Sequence, residues 1–364
     1  MLSLLAAGLL LLTKPSASVS LRPSQIRPES SSGAAEHVAH PLPPVFRLDV
    51  GLAGPPVVAG DGTWWLSGRD GELALLGTND SPVWSISLGA AITGDVAIDE
   101  HGSLYVPTAR DLIFAVEPNA SVRWRSRVPW GIDGPLAWVP QQGLAFVGRD
   151  QFLYWLGHSA NLLQRTPIGG RRSAGPIRMG QFAAVGSDTG EFFVGSSRGK
   201  RLQVDLGQRI RSISDWSDSA LILAGNKGYS VDYRAEVRLI RAEIASIGVA
   251  SDRESPNAKG QAVMLSKGRL DWFDHQGNVT QSLDTSQVPT DDLVPELAAT
   301  HQCAWISSNS GTVWQCCTHD GIQAFRLTQL PLMRPVLDLV HGRVLVGSSQ
   351  GELWSMSIPD HARF

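Results

Sequence analysis

From residue 54 onward the chain alternates apolar and polar positions in short runs, and glycine- or aspartate-rich turns separate the runs. Residues 54–88 read GPPVVAGDGTWWLSGRDGELALLGTNDSPVWSISL, and residues 94–128 read GDVAIDEHGSLYVPTARDLIFAVEPNASVRWRSRV. Each stretch holds a short apolar run, an Asp-Gly or His-Gly turn, an alternating run, a tight turn, a third run, and a fourth carrying Trp84 or Trp124. Alternation with a period of two predicts strands, and four such runs joined by turns predict one antiparallel sheet written twice.

The tight turn between the second and third strands can be followed along the whole chain. Its tips fall at Gly71, Asp111, Gln151, Gly190, Gly228, Gly268, Gly311 and Gly351, with spacings of 40, 40, 39, 38, 40, 43 and 40. A four-stranded unit recurring near every forty residues is the signature of a propeller blade. The sequence therefore predicts an all-β fold, an eight-bladed β-propeller of four-stranded antiparallel blades. Seven blades remain the alternative if 210–244 or 245–285 is not a true unit. The eighth unit ends after its third strand, ELWSMSI at 352–358, whereas VFRLDVGL at 45–52 resembles a fourth strand with no unit of its own. Pairing the two would close the ring and remove an exposed sheet edge.

Repeats of this form resemble the pyrroloquinoline-quinone (PQQ)-type propeller repeat. The matching residues are Asp61-Gly62, Trp65, Gly71-Glu72-Leu73-Ala74-Leu75 and Trp84, then Gly102, Tyr105, Ala115-Val116 and Trp124. The likeness spans about 45–364 and is strongest in the first three units and the last, VLVGSSQGELWSM. It implies the fold, with function to be argued from sites. Proteins with this repeat include quinoprotein dehydrogenases and an eight-bladed scaffold of the outer-membrane β-barrel assembly machinery, and size and blade number bring this chain nearer the second. It departs from that scaffold in having no cysteine near the N-terminal apolar run to carry a lipid anchor.

The segments before the repeats read differently. Leu2 to Thr13 form a short apolar run followed by Ser16-Ala17-Ser18-Val19-Ser20, with no basic residue ahead of it. As a helix this run would reach about 18 Å, short of a bilayer core of about 30 Å. Residues 1–20 are thus expected to be a cleavable signal peptide, and 21–44, rich in Ser and Pro, a flexible tether. The propeller would occupy 45–364. An exported protein, periplasmic or extracellular, with no membrane span is the expectation. The formal charge of −3 shows no basic excess of the kind nucleic-acid binding calls for.

Candidate chemistry is sparse, and no catalytic residue, cofactor site or metal site is assigned. The adjacent pair Cys316-Cys317 has a counterpart in the vicinal disulfide of some quinoprotein alcohol dehydrogenases, but the repeats here lack the insertions that supply those enzymes' calcium and catalytic carboxylates. Within a strand, moreover, neighbours point to opposite faces. A two-residue turn at Asn309-Ser310 would place Cys303 opposite Cys316 and Trp305 opposite Trp314, so a Cys303–Cys316 disulfide is expected; a slip of one residue would make it Cys303–Cys317. His37 and His40 fall in the tether, and His101, His158, His275, His301, His319 and His341 are scattered over turns and strand edges. Asp188-Thr189-Gly190 and Asp291-Asp292 have turn or loop explanations.

One pattern bears on partners. Arg69, Arg110, Arg149, Lys227 and Lys267 sit at tips on one end of the disc, where basic side chains would favour an acidic partner. Trp130 and Trp138 lie near connections between blades, with burial between blades the expected role. The resulting expectation is a non-catalytic protein-binding or scaffolding ring, monomeric, with an unidentified protein partner. A PQQ-dependent oxidoreductase or other propeller enzyme, and a carbohydrate- or ligand-recognition module, are the alternatives.

Overall fold

Each forty-residue unit forms one antiparallel sheet because its middle strands are apolar enough to be covered on both faces while its last is half polar. In the first unit Trp64–Ser67 is fully buried, Glu72–Leu76 nearly so, and Pro82–Ser87 alternates between exposed and half-buried. The next unit repeats this in Leu104–Pro107, Leu112–Val116 and Val122–Arg127. A computed structural model of the chain describes residues 42–216, 219–250 and 260–362. The expected signal peptide and all of the tether except its last three residues lie outside these.

Eight four-stranded sheets result, seven of them ordered along the sequence from inner to outer strand. The protein is an eight-bladed β-propeller. The two doubtful units are complete blades: Ile210–Trp216, Ser219–Ala224, Lys227–Asp232 and Val237–Ala242 form the fifth, and Ile244–Val249, Ala262–Ser266, Gly268–Phe273 and Val279–Thr285 the sixth. In the eighth blade Val336–Asp338, Arg343–Gly347 and Glu352–Ser357 take Phe46–Arg47 as their outer strand. Of the expected closing strand 45–52, only its first part pairs: Val45 N–H donates to Leu353 O at 2.8 Å and Leu48 N–H to Gly351 O at 3.0 Å. Beyond Leu48 the chain turns inward toward the first blade, where Leu52 is fully buried and bridges Gly68.

There is no single core. Buried apolar residues fall into eight clusters, and each fills the gap between two neighbouring blades. The seam is filled like every other gap: Phe46, Leu48, Leu345 and Leu353 from the last blade pack on Leu52, Trp64 and Leu66 from the first. This is how a chain too long for one ordinary core stays a single unit. Outer-strand tryptophans tie blades together by hydrogen bonds as well. Trp84 Nε1 donates to Pro118 O at 3.0 Å, and Trp124 Nε1 to His158 O at 2.8 Å.

The tips obey a backbone rule. Gly71 has φ of 101°, and a Cβ there would lie 2.3 Å from Ala90 O. Asp111 and Gln151 occupy the same slot with φ of 57° and 66°, so the left-handed conformation is a property of the turn. Gly71→Ala is expected to cost about 1–3 kcal/mol or more, from strained φ and from the contact with the carbonyl. Chemical unfolding at an unchanged midpoint would show that this turn relaxes freely.

Three register expectations are corrected. Gly228 lies inside a strand, because the fifth blade turns two residues earlier, at Gly225-Asn226, with Ala224 paired to Lys227. The seventh blade's hairpin has a three-residue loop, Asn309–Gly311: Ser307 pairs Val313, Ser308 N–H bonds Thr312 O, and Gly311 takes φ of 92°. That extra residue shifts the opposite strand by one. Cys303 consequently faces and is disulfide-bonded to Cys317, with Cα atoms 4.1 Å apart, while Cys316 is a free thiol opposite Ala304. Trp305 likewise faces Gln315, donating Nε1–H to its Oε1 at 3.2 Å, and Trp314 faces Ile306.

Candidate functional site at the mouth of the central channel

Four of the connections leading into inner strands deliver residues toward the ring's axis. Pro55, Asp95, Glu296 and Arg334 each stand two residues ahead of an inner strand, those starting at Val57, Ala97, Ala298 and Val336. The backbone is pinned on both sides of the site. Asp95 O accepts from Leu136 N–H of the next blade at 3.2 Å, and Ile247 N–H donates to Pro295 O at 3.0 Å. Leu297 N–H returns to Ile247 O at 3.0 Å, so Glu296 is held between two inter-blade hydrogen bonds.

Side chains from blades that are not neighbours meet there. Arg334 places its Nη2 3.6 Å from Asp95 Oδ2 and its Nε 3.4 Å from Glu296 Oε2. Ser212, from the fifth blade, donates to Glu296 Oε1 at 3.1 Å. Contact of the second blade with the eighth, and of the fifth with the seventh, is available only inside the ring. Arg334, Asp95 and Glu296 side chains remain 45%, 37% and 34% exposed. Ion pairs so accessible contribute about 0–1 kcal/mol each, too little to explain the cluster as a stabilising device.

Asp95, Glu296 and Arg334 line a cavity of about 250 Å³ together with Pro55, Val294 and Pro295. That is below the roughly 300–1,000 Å³ of sites that enclose a small organic ligand. Two carboxylates against one guanidinium leave a local excess of one negative charge, and the apolar walls concentrate its field. The arrangement suits a single cationic or hydrogen-bonding group entering from the face, such as a lysine or arginine side chain.

The expected basic tips stand around this mouth on the same face, packed on the connections between blades. Arg69, Arg110, Arg149 and Lys267 are exposed there, whereas Lys227 is half-buried at the start of a strand. Arg69 Nε donates to Leu52 O at 3.0 Å, and Arg149 bridges blades by pairing with Asp111 Oδ1 at 3.2 Å. Since Asp70, Asp111 and Asp150 directly follow the three arginines, the rim alternates in sign. Trp138 is buried and stacks on Tyr105 at 4.9 Å with its Nε1 bonded to Glu100, and Trp130 is half-buried against Tyr154 at 4.4 Å. Both serve blade packing. Asp95, Glu296, Arg334 and Ser212 were not singled out from the sequence; the available signal, for the first three, was their shared slot ahead of the inner strands, whereas Ser212 lies within one.

No protein-family model and no curated protein matches the sequence. Among solved structures, BamB from Moraxella catarrhalis is similar with a TM-score of 0.67 at 13% identity, over 86% of this chain and 98% of that one. The computationally designed protein Ika8 is similar with a TM-score of 0.66 at 11% identity, over 88% and 100%. A catalytically inactive His-to-Ala variant of virginiamycin B lyase from Staphylococcus aureus, with quinupristin, gives 0.56 at 9% identity, over 86% and 98%. At such identities the likeness concerns architecture alone, and blade number, blade order and these neighbours agree that the chain is a β-propeller.

Proposed function

We propose that the protein is a non-catalytic binding or scaffolding propeller that works outside the cytoplasm as a monomeric ring. Its partner would be a protein docking on the face that carries the channel mouth and the hairpin tips. The observation that carries this reading is the face itself: short turns on a rigid frame, rimmed by alternating charge, with a small acidic mouth at the centre. Such a surface fits a broad partner that sets one basic side chain into the mouth and acidic groups against Arg69, Arg110 and Arg149. The resemblance of the repeats to an outer-membrane assembly scaffold supports the cell envelope as the setting.

Crosslinking in whole cells, followed by purification of the tagged protein, tests it. Arg69→Glu/Arg110→Glu/Arg149→Glu and, separately, Asp95→Asn/Glu296→Gln should each reduce recovery of the same partner roughly tenfold or more, as expected for charge complementarity lost at an interface. Equal recovery with both variants would remove the proposed face. Incubation with PQQ and calcium is expected to leave no bound quinone, and dye-linked oxidation would overturn the non-catalytic reading.

A further inference from the structure

On the opposite face of the ring, the seventh blade and the C-terminal turn bring together three groups that metals favour. The sulfurs of Cys303 and Cys317 and a ring nitrogen of His361 all lie within 4.8 Å of one another. Cys303 opens the second strand, Cys317 closes the third, and His361 arrives on the 3-10 turn Asp360–Ala362. Both cysteines are fully buried, whereas the His361 side chain is 35% exposed, giving the cluster one open side. Asp320 Oδ2 stands 3.4 Å from His361 Nε2, and the His319 ring lies 5.6 Å from that of His361.

We propose that Cys303, Cys317 and His361 form a redox-gated site for a thiophilic divalent cation such as zinc. With the disulfide closed, the sulfurs are bonded to each other and the site is shut. A dithiol reductant opens it by giving two electrons and two protons to the sulfur pair, which leaves two thiols while the reductant closes its own disulfide. The cation then binds as both thiols release their protons to solvent, and two thiolates with one imidazole face it. Binding itself transfers no electrons.

The dimensions fit. Zinc takes sulfur at about 2.3 Å and nitrogen at about 2.0–2.1 Å in a tetrahedron, so its donor atoms stand roughly 3.5 Å apart. Donor atoms within 4.8 Å of one another stand close to that spacing, and opening the disulfide frees each cysteine to turn about its Cα–Cβ bond. The surroundings also fit a metal better than a disulfide that only staples the hairpin. A carboxylate against the ring of a ligating histidine is a recurrent arrangement in zinc sites, where it orients the imidazole. Asp320 holds that place, and His319 or a water is left for the fourth position. A stapling disulfide calls for neither residue.

Cobalt(II) titration of the full-length protein tests the site. The protein is first reduced with a water-soluble phosphine, which becomes phosphine oxide by taking oxygen from water as the disulfide gains two hydrogens, and is then desalted without air. One cobalt per reduced chain is expected, with thiolate-to-cobalt charge-transfer absorbance and strong visible bands of tetrahedral geometry. The oxidised protein should show neither. His361→Ala keeps the disulfide and so the fold, and should weaken cobalt binding by about tenfold or more. Cys316→Ser should leave it unchanged. Absence of cobalt binding after reduction, full-strength binding by His361→Ala, or loss of binding in Cys316→Ser would each overturn the proposal.

Discussion

A chain that begins at Asp49 is expected to fail to form a stable ring, whereas one that begins at Leu42 keeps every contact of the seam. The shorter chain lacks Phe46 and Leu48, which are 6% and 4% exposed and fill the gap between the last and first blades. Losing a buried Phe typically costs 3–5 kcal/mol and a buried Leu about 2–5 kcal/mol. Even with incomplete additivity between neighbours, the sum approaches the roughly 5–15 kcal/mol by which folded domains exceed their unfolded states. The outer edge of Glu352–Ser357 would also be left unpaired and open to other chains. Soluble yield and the urea midpoint of the two chains measure this. Equal values would mean that the eighth blade is complete without its N-terminal strand.

The second large effect is expected at Arg343, which clasps the same seam from the opposite face. Asp338 is fully buried, and Arg343 Nε donates to its Oδ2 at 2.7 Å. The same guanidinium pairs with Asp80 of the first blade and lies over the Trp64 ring at 4.8 Å. His341 donates its backbone N–H to Asp338 Oδ1 at 3.2 Å and sets its ring Nδ1 2.8 Å from Oδ2. Removing one partner of a buried ion pair costs about 3–5 kcal/mol, because the remaining charge keeps its desolvation without its counterion. Arg343→Ala should lower the unfolding midpoint accordingly. Arg343→Lys should recover only part of the loss, since an ammonium cannot bridge two carboxylates and lie flat on an indole. A midpoint unchanged in Arg343→Ala would show that the clasp contributes nothing.

Blade number and closure were legible in the sequence because they rest on local facts repeated eight times. Alternation marks each strand, and turn residues mark each tip. Register was less legible. At the seventh hairpin a two-residue and a three-residue loop are both compatible with Ser308-Asn309-Ser310-Gly311, and the choice moves every partner by one, so Cys303 meets Cys317 and Trp305 meets Gln315. At the fifth blade two glycines, Gly225 and Gly228, compete for the turn, and only the first takes positive φ.

The candidate site was hidden for a different reason. Asp95, Ser212, Glu296 and Arg334 are far apart in sequence, and of the four blades they come from only the seventh and eighth, which carry Glu296 and Arg334, are neighbours. They converge because the ring closes, which is a global property that no local pattern encodes. Superposing the repeats would have marked three of the four, since Asp95, Glu296 and Arg334 hold one slot where Pro55 stands in the first unit. The basic tips show the converse. They were legible one by one, yet the neighbouring Asp70, Asp111 and Asp150 and the Arg149–Asp111 pair make the rim alternate in sign where a uniformly basic one was expected.

Amide hydrogen exchange across residues 45–48 is the most direct test of ring closure. If the termini share a sheet, the amides of Val45 and Leu48, bonded to Leu353 O and Gly351 O, stay protected about as long as those of Arg343–Gly347 in the same blade. Complete exchange of 45–48 at the earliest time, with Arg343–Gly347 still protected, would mean that the ring is open.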